Sequence, residues 1–315
     1  MQKINVLFAV IILLFITAVS AAQMKMRDLE SIEGTGAVGP LSESGDDAAG
    51  AKNFIELNRL GVHTAMVEQD FEKALGYFAE ASRLEPNCHG CRYNLGRAYL
   101  ETNRANEAIG IFNEILAAAP DYFNALASLG EAYGEKGMFE DSFSYFERAL
   151  KLNPKDITAL ANYAIILSRA EKHKQALKFL DRALEINPRM VEALSNRGHT
   201  LFLLGRQKEA LAALREAESV DARVPEVHNN LGVVLEHLGK KDEALKHYRK
   251  AVELRPAYPE AVCNLAVFHL ARGEREAAYG QLKTLEKLDA RLAAMVREAM
   301  WSKYVVKASE KSDDK

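Results

Sequence analysis

The segment NCHGCRYN sets Cys88 and Cys91 three residues apart with His89 between them. Two thiols at this spacing suit three chemistries. In an oxidising compartment they can close a local disulfide. At the start of a helix, the Cys91 thiol would be acidified and suited to redox exchange. With His89 they offer three soft ligands, but structural zinc takes four and no second cluster follows nearby in the sequence. The disulfide is the expectation, with a redox- or metal-linked role through Cys88 and Cys91 as the alternative. Cys263 stands alone and reads as a small packing or groove residue. His228, His237 and His247 crowd one stretch, yet spacings of nine and ten are not those of a helical ligand pair. No metal and no cofactor are expected. The sequence carries no glycine-rich phosphate loop, no serine elbow and no zinc-protease motif, so a non-enzymatic binding module is the expectation.

A second set of residues suggests binding. Asn94, Asn162, Asn196, Asn230 and Asn264 recur in one register, interrupted by Ser128. A primary amide donates and accepts at once, so a row of them can hold an extended peptide by its backbone. Five such bonds at roughly 0.5 to 1.5 kcal/mol each supply only about 3 to 7 kcal/mol. Micromolar affinity needs about 8 kcal/mol after ordering costs. Neighbouring side chains would therefore have to contribute: Tyr93, Arg97, His199, Asn229 and Glu236, with Glu192, Glu226 and Glu260 favouring a basic partner. The competing reading makes the asparagines contacts between adjacent helices and the glutamates a solvated rim.

The elements that carry these residues are set by a repeat. Pro86, Pro120, Pro154 and Pro188 are each 34 residues apart, and the register continues through Ala222, Pro256 and Ala290. Seven units fit: 55–88, 89–122, 123–156, 157–190, 191–224, 225–258 and 259–292. Each holds two apolar patterns of helical period around a short turn, hence a helix hairpin. Small residues stand at unit position 8 (Gly96, Gly130, Ala164, Gly198, Gly232, Ala266), and large ones at position 24 (Phe112, Phe146, Leu180, Leu214, Tyr248, Leu282). The pairing predicts close packing within each hairpin. Position 15 carries Gly137, Gly205, Gly239 and Gly273, with Asn103 in the second unit, where the chain needs a left-handed residue. The first unit departs from the pattern at Asn58, Gly61, Val62 and Ala65, which predicts loose packing or a register shift.

This arrangement resembles the tetratricopeptide repeat family across about three quarters of the chain. The resemblance implies an all-α, right-handed superhelical solenoid in which first helices line a concave groove. The asparagine series is similar to that in the repeat region of O-linked N-acetylglucosamine transferases, and the likeness is confined to the repeats. Chaperone-binding members hold a C-terminal carboxylate with lysine, asparagine and arginine. Here Arg59, His63, Asn94, Asn124 and Ser128 stand at the corresponding places, so that clamp is incomplete.

The ends of the chain suggest export. Residues 1–22 combine Lys3, an apolar run from Val6 to Ile16 and the small residues Ser20, Ala21 and Ala22, the pattern of a signal peptide. The rival is a membrane anchor over residues 4–22. Residues 23–52 are rich in glycine, serine and aspartate and read as a flexible linker. Residues 291–307 read as a capping helix and 308–315 as a polar tail. The formal net charge of -3 disfavours nucleic acid. The resulting expectation is an exported, periplasmic or secreted scaffold that binds a protein or extended peptide in its groove during envelope assembly or secretion. Self-association is a further alternative.

Overall fold

The computed structural model describes residues 53–310, with side chains as far as Trp301. The expected signal peptide or anchor (1–22), the linker (23–52) and the end of the tail (311–315) lie outside the described residues. Of the described residues, 53–170 form one compact unit and those from Glu171 onward another.

The first unit contains α1 (Phe54–His63), a π-helical turn (Thr64–Glu68), α2 (Phe71–Leu84), α3 (His89–Glu101), α4 (Ala105–Ala118), α5 (Phe123–Glu135), α6 (Phe139–Leu152) and α7 (Ile157–Arg169). The second contains α8 (His173–Ile186), α9 (Val191–Leu203), α10 (Gln207–Val220), α11 (Pro225–His237), α12 (Lys241–Leu254), α13 (Pro259–Arg272), α14 (Arg275–Leu288) and α15 (Ala290–Glu310). All regular elements among the described residues are helices. Helix α15 continues three residues into the segment expected to be a polar tail, because Ala308, Ser309 and Glu310 offer neither proline nor glycine to stop it.

The hairpins close as the small and large residues dictate. A Cβ added to Gly96 would lie 2.5 Å from the Phe112 ring, and one added to Gly232 would lie 2.6 Å from Tyr248. Neither glycine can be enlarged without displacing the aromatic ring that fills its notch. Between the two helices of a hairpin, position 15 is left-handed throughout: Gly137, Gly205, Gly239 and Gly273 have φ between 74° and 79°. Asn103 shares that conformation, and so do Gln69 and Glu171, at φ 57° and 60°. Tertiary packing holds these last two side chains in a region that disfavours them.

The first hairpin shows the register shift that its sequence suggests. Gly61 stands at unit position 7, yet its missing Cβ makes room for Phe78, 2.6 Å away, as position 8 does elsewhere. Helix α1 is thus displaced by one residue against the repeat. The π-helical turn at Thr64–Glu68 takes up one extra residue and ends at Gln69, whose N–H donates to Thr64 O, so α2 begins back in register.

Candidate functional site

The groove-side candidates sit on the first helix of each hairpin, and several bond to the first helix of the neighbouring repeat. Asn94 Nδ2 on α3 donates to Asn58 Oδ1 on α1 at 2.9 Å, with both side chains buried. Asn264 on α13 donates to Asn229 Oδ1 on α11 at 2.9 Å, and Asn230 on α11 donates to Ser195 Oγ on α9 at 3.1 Å. Ser128, which interrupts the asparagine series, lies 3.5 Å from the Tyr93 hydroxyl. The separations are 35 or 36 residues, so each bond joins position 6 of one repeat to position 5 of the repeat before it. Asn58 at position 4 fits the same scheme once the one-residue shift of α1 is counted.

These contacts correct the expectation of a uniform peptide-binding ladder. The amides of Asn94, Asn230 and Asn264 are already donating inside the protein, as buried polar groups must. The charged candidates behave similarly. Arg97 is buried and donates to Glu131 Oε2 at 2.7 Å, with Glu101 at 3.7 Å. Glu226 is buried and ion-paired with Arg255, so the position-2 glutamates do not form a continuous acidic rim. Glu192 and Glu260 are half-buried, and burial raises the Glu260 carboxyl above its ordinary pKa. Glu236 accepts from the Tyr248 hydroxyl at 2.9 Å, and burial raises its pKa although that bond opposes the shift. His199 is buried, and desolvation, helped by the nearby His173 charge, pushes it down to about 3, so it is neutral in the fold.

Two members of the asparagine series differ from the rest. The residue 35 positions before Asn162 is Ala127, and the residue 35 before Asn196 is Ala161. Alanine offers no side-chain acceptor for a joint. Asn196 Oδ1 is buried with no hydrogen-bond partner among the described residues. Asn162 lines an open recess of about 390 Å³, solvent at its mouth included, together with Tyr93, Phe123, Asn124, Ser128 and Thr158. Ala127 forms part of its wall, and Glu131, held by Arg97, supplies a carboxylate edge. Asp156, which caps α7 by accepting the Ala159 N–H at 2.7 Å, adds a second carboxylate, so the recess combines two aromatic rings, two amides, the hydroxyls of Ser128 and Thr158, and two carboxylates. Sequence reasoning missed Phe123 and Thr158. The signal was available in Ala127, the gap at position 5 that leaves room in front of Asn162.

Cys88 and Cys91 form a disulfide with Cα atoms 5.3 Å apart. Cys88 also caps α3, its Sγ accepting the Cys91 N–H at 3.1 Å. Cys91 is fully buried, so attack by an external thiolate is confined to the Cys88 side of the bond. The second unit holds a feature that linear spacing hid: His228 and His247 stack with ring centroids 5.3 Å apart. The Nδ1 of His237 lies 3.1 Å from Val233 O, and its ring meets Phe202 edge-on. Cys263 is buried, and desolvation pushes its thiol up to about 12, consistent with a packing residue.

Tetratricopeptide repeat models match residues 65–130, 121–189, 198–239 and 225–258. The chain belongs to the tetratricopeptide repeat family, and its fold is an all-α solenoid of helix hairpins. A curated relative, the mouse (Mus musculus) protein O-mannosyl-transferase TMTC3, is 43% identical over 58 residues. That match covers 18% of this chain and only 6% of the relative. Among solved structures, a tetratricopeptide repeat protein from Parabacteroides merdae superposes with TM-score 0.65 at 18% identity, covering 79% of this chain and all of that one. The anaphase-promoting complex hetero-tetramer Cut9-Hcn1 superposes with TM-score 0.61 at 16% identity, covering 68% of this chain and 42% of that one. These structural likenesses concern the fold. Helix-hairpin repeats of this kind present extended surfaces and serve as protein–protein interaction scaffolds.

Proposed function

We propose that this protein is a non-enzymatic scaffold that holds an extended segment of a partner polypeptide in the recess between α3, α5 and α7. The observation that carries the reading is the break in the joint series at Ala127, which opens the recess in front of Asn162. An extended strand exposes an amide and a carbonyl at each residue, and Asn124, Thr158 and Asn162 are of the types that pair with such groups. Phe123 adds apolar surface, which supplies affinity that amides alone lack, while Tyr93 is buried among the lining residues. Glu131 is engaged with Arg97, and Asp156 adds a carboxylate at the α7 end of the recess, so a strand with a basic side chain at that end is accommodated as well.

The envelope is the proposed setting, in assembly or secretion. The support is the leader-like sequence of residues 1–22 together with the Cys88–Cys91 disulfide, which persists only in an oxidising compartment. The buried Cys91 favours a stapling role for that disulfide over thiol exchange.

The test is to fill the recess. Ala127→Trp places a large side chain in its wall on an element that is otherwise intact. Partner capture from envelope extract is expected to fall at least tenfold, while the circular dichroism signal and melting temperature stay near those of the parent. Undiminished capture by a folded Ala127→Trp protein would move the binding surface elsewhere.

A further inference from the structure

We propose that Glu218, His228 and His247 form a binding site for a divalent transition metal of the zinc class, tying the second helix of the fifth repeat to both helices of the sixth. The three residues come from α10, α11 and α12, so no local sequence spacing announces them. His228 Nδ1 and His247 Nδ1 are 3.1 Å apart. Glu218 Oε1 lies 3.6 Å from the first and 3.8 Å from the second. Around a four-coordinate zinc with ligand distances near 2.0 to 2.1 Å, neighbouring ligand atoms stand about 3.3 Å apart. The observed triangle brackets that value, and shifts of a few tenths of an ångström would close it.

The proton arrangement supports the same conclusion. His228 Nε2 lies 2.8 Å from the carbonyl oxygen of Ala222. A carbonyl can only accept, so Nε2 carries the proton and Nδ1 presents its lone pair inward. Metal-ligating histidines are oriented in this way, by an outer bond from the other ring nitrogen. Glu218 presents a second acceptor at the same point. Only the proton on His247 Nδ1 is available to the two of them, and it faces His228. When His247 turns over to its other tautomer, with the proton on Nε2, three lone pairs converge on one point. Such a point suits a cation.

The surroundings favour a dication. Apart from Glu218, the charged side chains beside the ring of His247 are Arg215 and Glu243. Arg215 is itself paired with Glu243, with Nη2 to Oε2 at 3.1 Å. Around the two rings the nearby charges are thus two carboxylates and one guanidinium. His228 is buried, while the Glu218 and His247 side chains are 32% and 21% exposed, which gives a metal access and leaves water to complete the shell. Nitrogen and oxygen donors in this number suit Zn²⁺, and Co²⁺ can replace it as a spectroscopic probe.

The experiment uses the full chain with its disulfide oxidised and Zn²⁺ or Co²⁺ as the only added ligand. Equilibrium dialysis is expected to show one Zn²⁺ per chain and a raised melting temperature, and Co²⁺ to give the visible absorption of a four-coordinate site. Glu218→Gln, which preserves shape, and His247→Ala should each weaken Zn²⁺ binding at least tenfold and abolish the Co²⁺ spectrum. His89→Ala, at the disulfide turn in the other unit, should leave both unchanged. The proposal is overturned if the parent binds no Zn²⁺, or if Glu218→Gln binds Zn²⁺ as the parent does. Loss of the signal in His89→Ala alone would overturn it equally.

Discussion

Asn162 in the first unit and Asn264 in the second occupy the same position of their repeats, yet they do different things. Asn264 donates to Asn229 on the preceding first helix and is buried in a joint. Asn162 lines an open recess. The difference lies one repeat earlier. Asn229 offers Asn264 an acceptor, whereas Ala127 leaves the space before Asn162 without one. Position 6 alone therefore does not define a groove contact. Position 5 of the repeat before it decides whether the amide meets a side-chain acceptor there.

The largest test of that contrast lies in the first unit. Arg97 and Glu131 form a buried ion pair between α3 and α5 that shapes one edge of the recess. Arg97→Met should cost about 3 to 5 kcal/mol, because it strands the Glu131 carboxylate away from water. Urea unfolding combined with hydrogen exchange would locate the loss in residues 53–170 and leave the second unit protected. A uniform loss across both units would break the distinction between them.

Acid should act on the other side of the comparison. His173, His199, His237 and His247 all lie in the second unit, and burial lowers the pKa of each. His199, at about 3 in the fold, is the extreme case. Below about pH 6.5 the unfolded chain binds a proton that folded His199 refuses, so stability falls as pH falls and the loss continues until about pH 3. Between pH 6.5 and 5 the expected cost is roughly 2 kcal/mol from this residue, read by urea titration. His199→Gln should flatten the slope, and an unchanged slope would remove His199 from the account.

A smaller change sharpens the contrast in the opposite sense. Ala127→Asn gives Asn162 the acceptor that it lacks. A new joint should raise stability by about 1 kcal/mol and weaken partner binding, converting the recess into the kind of contact found at Asn229 and Asn264.

Much of this was readable before any coordinates. The 34-residue period, the glycines at position 8 facing aromatics at position 24, and Gly137, Gly205, Gly239 and Gly273 in left-handed turns all follow from steric rules that act within one hairpin. Gln69 and Glu171 take the same left-handed conformation without the residue type that signals it, because packing of the flanking helices overrides local preference. The polar partners were less legible. Asn58–Asn94, Ser195–Asn230 and Asn229–Asn264 are joined by the stacking of repeats, so the partner of each amide lies a whole period away. The pairing of His228 with His247 was hidden for a related reason: the rings meet across a hairpin, where spacing along a single helix carries no information.

The most direct test of the central claim is a double-mutant cycle on Asn229 and Asn264. Asn264→Ala leaves the buried Asn229 carbonyl without its donor and should cost about 1 to 3 kcal/mol in urea unfolding. Asn229→Ala should cost a similar amount, and the pair together less than the sum, with a coupling of about 1 kcal/mol. Additive losses with no coupling would mean that the repeat-spaced amides are not joints, and the rule drawn from position 5 would fall with them.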